Sequence, residues 1–335
     1  MEWLMGFGSR FITQLQSPTL AFLIGGALIV AMGSRLSIPN SIYQFIIFLL
    51  LMRIGMKGGI EIRSAEIGEM LLPAVFSVAV GIIIVLLGTG FFSLLARVRW
   101  SDGTATAGLF GAVSSSTLAA AMVLLEEQAV FFEAWVPALY PFMDIPALIL
   151  AIVLSKLGTE KAGTRTSAST RILDVIKESI QGPALSALVL GLALGIFARP
   201  ESVLEGFYNP IFRGLLSVLM FILGMEAYSR IRELKQVAHW FALYALAAPI
   251  LHGLIGFALG YVAHILAGFS PGGVVLLSVI AASNSDISGP PTLRAGIPSA
   301  NPSTYIGAST SIGTPVAIGI CIPLFVSLAE MVFGV

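Results

Sequence analysis

Apolar segments long enough to cross a bilayer recur ten times along this chain, and no other feature constrains its fold as strongly. A spanning helix needs about 20 predominantly apolar residues. The candidates lie at roughly 18–34, 39–56, 68–95, 104–126, 134–156, 182–198, 208–227, 238–267, 272–298 and 303–333. Of the 335 residues, 57% are hydrophobic and only 11% charged, against about 25% charged in a soluble domain. The fold class expected is an all-α polytopic membrane protein. Net charge is zero, which points to no nucleic-acid partner. The one cysteine, Cys321, has no partner for an internal disulfide. Met1 to Gln16 lacks the basic start and small-residue site of a cleavable signal peptide.

The ten segments fall into two sets of five. Between them Gly158 to Glu178 is polar and contains Thr-Arg-Thr-Ser-Ala-Ser-Thr. The expected organisation is a first five-span repeat over 1–157, a linker over 158–181 and a second repeat over 182–335. Gly55-Met56 matches Gly224-Met225, Ser114 to Thr117 matches Ser283 to Asp286, and Asp144-Ile145-Pro146 matches Gly313-Thr314-Pro315. All three matches share one offset, the 169 residues between Ser114 and Ser283. Five spans is an odd number, so the second repeat must be inverted relative to the first, as in many secondary transporters. If the linker is cytoplasmic, its side holds twelve Lys and Arg residues, among them Arg97, Arg99, Arg165 and Lys177, and the other side six. The excess of positive charge on the cytoplasmic side then places both termini outside.

Two segments are interrupted by polar residues. The fourth breaks at Ser114-Ser115-Ser116-Thr117 and the ninth at Ser283-Asn284-Ser285-Asp286, ahead of Gly289-Pro290-Pro291. Irregular backbone at membrane depth must be buried in protein or line a watery cavity. An inverted repeat brings two such breaks together near the midplane. Each starts a half-helix whose N-terminus exposes unpaired N–H groups and the positive end of a dipole, and two such ends with several hydroxyls suit a small anion. Serine is also an ordinary N-cap, so each serine alone could be structural. Asp144 and Asp286 are the carboxylates set well inside segments. A hard cation prefers oxygen donors, so Asp286, Thr117, Asp144 and Thr314 are candidate sodium ligands. Asp144, between Pro141 and Pro146, could equally be a hydrogen-bonding residue of a kinked helix.

Other polar residues weigh less. His252 reads as a packing residue before a proton relay. Glu126, Glu127 and Glu133 read as a solvated outer face. Arg294 could anchor a span end or contact a regulator or a departing substrate. No Gly-x-Ser-x-Gly or His-Glu-x-x-His motif is present, so no enzyme is expected and no cofactor beyond a coupling sodium ion. An intramembrane aspartyl protease and a passive anion channel stay as rivals.

Gln14 to Gly26, Gly108 to Ser114, Ala138 to Ala147, Gly206 to Leu216 and Asp286 to Pro302 together resemble the cyanobacterial sodium-dependent bicarbonate transporter family. The resemblance covers nearly the whole chain except about 155–175. It implies a plasma-membrane symporter of sodium and bicarbonate that supplies inorganic carbon for CO2 concentration. It implies an elevator-like mechanism, in which a core domain with two broken, crossed helices moves against a trimer-forming gate domain. It further implies a PII-like regulatory protein on the cytoplasmic face. Bicarbonate binding then falls on Ser114, Ser115, Ser116, Ser283, Asn284 and Ser285, with sodium near Asp286 and Thr117. The family often has glycine where Ser115 stands and serine where Asn284 stands. Backbone-only contact there would leave affinity unchanged, whereas side-chain contact would alter it.

Overall fold

The computed structural model describes residues 18–63, 67–161, 181, 183–231, 239–285 and 289–334. Among these the regular structure is helical throughout, with no strand. We number the helices α1 (Pro18–Ala31), α2 (Asn40–Ile62), α3 (Ile67–Ser93), α4 (Trp100–Gly111), α5 (Ser115–Glu127), α6 (Tyr140–Lys161), α7 (Pro183–Phe197), α8 (Asn209–Ile231), α9 (His239–Ala267), α10 (Pro271–Ala282), α11 (Gly289–Gly296) and α12 (Pro302–Phe333). Among the described residues six stretches are long and apolar enough to cross a membrane, counting α4 and α5 as one, and α1, α7 and α10 are shorter apolar helices. α6 runs to Lys161, within the stretch expected as the linker over 158–181; residues 162–180 and 182 lie outside the described set.

The helices pack in two groups. In the first, α2 lies on α7 and α1 on α8. Gly55 and Gly59 of α2 face Gly191 and Gly195 of α7 in ascending order, so these two helices run parallel. A Cβ on Gly55 would come 2.5 Å from the Leu188 carbonyl oxygen, and one on Gly59 would overlap that of Leu192. Gly26 and Gly224 meet in the same way across α1 and α8. Between apolar helices in lipid, close backbone approach at small residues supplies the packing that a hydrophobic drive cannot.

The second group holds α3 to α6 and α9 to α12. Phe91 and Phe92, at the end of α3, stack on Tyr244 and Phe241, near the start of α9. Those helices are therefore antiparallel, and α4 and α10, which follow them, come in from opposite ends. Each is tied at its start. Asp102 of α4 accepts from the Asn301 N–H at 2.7 Å and from Arg99 at 2.9 and 3.0 Å. At the other end, Glu133 accepts from the N–H and hydroxyl of Ser270 at 2.8 and 2.7 Å. Glu133 is thus a structural cap for α10, not part of a solvated face.

Burial separates these helices sharply. Residues 101–125 and 272–285 are buried throughout, whereas α3 exposes Leu71, Leu86 and Leu87 and α9 exposes Leu251, Ile265 and Leu266. The interrupted helices lie inside a shell of apolar, outward-facing ones, which is where broken backbone is tolerated in lipid.

Candidate functional site

Both sequence-marked interruptions are real, and they meet. After α4, residues 112–114 leave helical geometry, and α5 begins at Ser115. Ser114 is the N-cap, its Oγ accepting from the Thr117 N–H at 3.2 Å. Ser115, Ser116 and Thr117 are therefore the first turn of a helix and not part of the gap. Helix geometry leaves the N–H of Ser115, the first residue of the helix, without an intrahelical acceptor. After α10, residues 283–285 are non-helical; Asp286 lies outside the described residues.

Hydrogen bonds tie the second break to the first and to the helix before it. The Ser114 N–H donates to Ser283 Oγ at 3.0 Å, and the Ser285 N–H donates to the Leu109 carbonyl in the last turn of α4 at 3.0 Å. Asp144, fully buried on α6, accepts the Val113 N–H at 2.9 Å through Oδ1. Ser114 Oγ and Ser116 Oγ lie 2.8 Å apart. On the other side, Asn284 Oδ1 accepts from the hydroxyls of Ser309 at 2.5 Å and Thr314 at 2.9 Å. Ten polar residues from five elements thus converge: Ser114–Thr117, Ser283–Ser285, Asp144, Ser309 and Thr314. None is more than 6% exposed.

The network is incomplete in an informative way. Ser115 Oγ, Thr117 Oγ1, Asp144 Oδ2, Asn284 Nδ2 and Ser311 Oγ are buried with no hydrogen-bond partner among the described residues. A buried polar group left unpaired costs about 1–3 kcal/mol, so several in one place mark a point where a polar solute would be stabilised. Hydroxyl and amide donors suit an anion; Asp144 Oδ2 and the hydroxyl oxygens suit a hard cation.

Residues 286–288, which lead into α11, lie outside the described residues. In α11 the Gly289 N–H is taken by Ser285 Oγ at 2.8 Å, and Pro290 and Pro291 have no N–H to give. Thr314, expected as a sodium ligand, uses its proton to fix Asn284, leaving oxygen lone pairs for a cation. Ser309 and Ser311 were passed over in the sequence. Their signal was the hydroxyl run Ser309-Thr310-Ser311 with Thr314 nearby in a largely apolar span, where α12 takes a π-helical turn over Ser309–Gly313; such turns often occur at functional sites.

A cleft of about 470 Å³ reaches this centre along the seam between the packing groups. Asn40, Gln44, Glu226, Arg294, Thr310 and Thr314 are among its lining residues, Thr314 being shared with the polar centre.

Fold and site together define a multi-pass helical membrane protein with a desolvated polar centre where two interrupted helices meet. The chain belongs to the Na+-dependent bicarbonate transporter superfamily, whose family model matches residues 18–330. Among curated proteins no match is found. Membership in this transporter family supports bicarbonate transport in place of an enzymatic role.

Proposed function

We propose that this protein imports bicarbonate together with sodium across the plasma membrane by alternating access, binding both at the junction of the two breaks. The observation that carries this is the set of unpartnered buried groups around the N-terminus of α5. Bicarbonate is planar and singly charged, and its oxygens match the N–H of Ser115, the Ser115 hydroxyl and Asn284 Nδ2. Sodium falls near Asp144 Oδ2 and Thr117 Oγ1, with Asp286 brought in from the sequence alone. Held close together, the two ions offset each other's desolvation.

The architecture we infer is a ten-span inverted repeat with its linker cytoplasmic and both termini outside. Reciprocal contacts support it: α1 on α8 and α2 on α7, and α4 and α10 entering from opposite ends. The α1, α2, α7 and α8 group would be the trimer-forming gate domain and the remainder the moving core of an elevator. The cleft on the seam would then be the inner access path, and a PII-like regulator would act on that face. The physiological role follows as supply of inorganic carbon for CO2 concentration. One sodium per bicarbonate moves no net charge, whereas a second would draw about 2.3 kcal/mol per 100 mV.

Uptake of isotopically labelled bicarbonate into vesicles, with sodium or choline outside and with chloride, nitrate or sulfate as competitors, tests this. Uptake should need sodium and resist the competing anions. Equal uptake in choline, with ionic current, would instead identify a passive anion channel.

A further inference from the structure

Far from the cleft, near the other end of α2, a second polar cluster joins the two packing groups. Arg53 of α2 is 7% exposed and held from three sides. Its Nε donates to Asn209 Oδ1 at the start of α8 at 2.9 Å, and its guanidinium lies 3.7 Å from the Phe212 ring centroid. Its terminal nitrogens donate to Glu126 Oε1 at 3.3 and 3.4 Å. Lys57, one turn on, reaches the same oxygen at 3.3 Å. A single carboxylate oxygen of the second group is thus shared by two cations of the first.

Glu126 ends α5, where the backbone already presents the negative end of its dipole, and the last turn of α5 carries no basic residue. Its charge compensation comes across the seam from α2. The same α5 carries the polar centre at its other terminus. Thirteen residues make a rod of about 20 Å, so the ion pair and the polar centre sit at opposite ends of one rigid element. Asn40, at the opposite end of α2 from Arg53 and Lys57, lines the cleft. Sliding α5 along α2 far enough to turn the polar centre away from the cleft must part Glu126 from both cations.

We propose that Arg53, Lys57 and Glu126 form the closed outer gate of this carrier, an ion pair that holds the polar centre open towards the cleft alone and must break and re-form in each transport cycle. This rests on the alternating-access reading above. The three are positioning residues; none touches the polar centre.

The test uses the full chain with its single cysteine removed (Cys321→Ala) and a reporter, Thr310→Cys, in the cleft. The rate of alkylation by a membrane-impermeant maleimide is measured from the cleft side, beside labelled bicarbonate uptake. Glu126→Gln should slow alkylation about fivefold as the outward-open population grows, and should lower uptake. Lys57→Gln should do so less. The exchange Arg53→Glu with Glu126→Arg should restore both values towards those of the parent. Unchanged alkylation in Glu126→Gln overturns the gate. So does a change that the exchange fails to restore, including loss of the protein from the membrane in both variants, since that marks simple fastening. Alkylation needs no substrate, so its outcome stands apart from whether bicarbonate is the solute; the parent's sodium-dependent uptake tests that separately.

Discussion

The backbone N–H of Ser114 donates to the hydroxyl of Ser283 at 3.0 Å across 169 residues of sequence. These two serines occupy matching positions in the two breaks, so like meets like at the centre of the molecule. Ser283 can accept because its own proton goes to the Ile280 carbonyl at 2.7 Å. The contact fixes the distance between the breaks.

Ser114→Ala removes the N-cap of α5, worth about 1 kcal/mol. Ser283→Ala strands the Ser114 N–H, at about 1–3 kcal/mol. Each should raise the half-saturation concentration for bicarbonate about tenfold, with the protein still in the membrane. Labelled uptake over a bicarbonate series reads this, and unchanged values in both would move the anion elsewhere.

Asp144→Asn keeps an oxygen for the Val113 N–H and loses the charge. Sodium affinity should fall by roughly tenfold or more while thermal stability stays near that of the parent. Asp144→Leu should lose both, since it strands that N–H. A sodium titration of uptake, paired with a melting curve in detergent, separates the two roles.

Thr314→Val removes the proton that fixes Asn284 and should weaken bicarbonate uptake several-fold, by about 1 kcal/mol. Thr314→Ser keeps the hydroxyl and should behave like the parent. Equal loss in both variants would show that the methyl group, not the hydrogen bond, matters.

Asp286→Asn should abolish sodium-dependent uptake and leave the protein in the membrane. An unchanged sodium requirement would remove Asp286 from the coupling site and leave Asp144 as its carboxylate.

Gly59→Leu would drive a side chain into the α7 backbone at Leu192 and Gly195. Overpacking of this kind costs about 1–3 kcal/mol, and a contact with backbone cannot relax by changing a rotamer. A lowered melting temperature is expected for Gly59→Leu and little change for Gly68→Leu, where a Cβ would meet nothing within 4 Å.

Much of the site was legible because polar residues inside apolar spans have few innocent explanations. Ser114 to Thr117 and Ser283 to Ser285 stood out for that reason; the first break falls at 112–114, just ahead of the turn that starts at Ser115, and the second at 283–285. Ser309 and Ser311 were less visible: two hydroxyls in a long apolar span can each bond to their own helix backbone. Glu126 and Glu133 were misjudged because acidic residues at span ends read as solvent-facing. Their partners, Arg53 and Ser270, are 73 and 137 residues away, and no local pattern reports such a distance.

What the sequence determined by itself was the helical, membrane-embedded class and the approximate positions of the two interruptions. Each follows from local composition and spacing, since the bilayer admits few ways to satisfy a backbone. What only the tertiary structure decided was which groups remain unsatisfied once the chain has packed. Ser115 Oγ and Thr117 Oγ1, in the first turn of α5, stay buried without a partner among the described residues. The pairing of Ser114 with Ser283 and of Glu126 with Arg53 depends on long-range packing, where hydrogen-bond geometry, not residue type, settles which donor finds which acceptor.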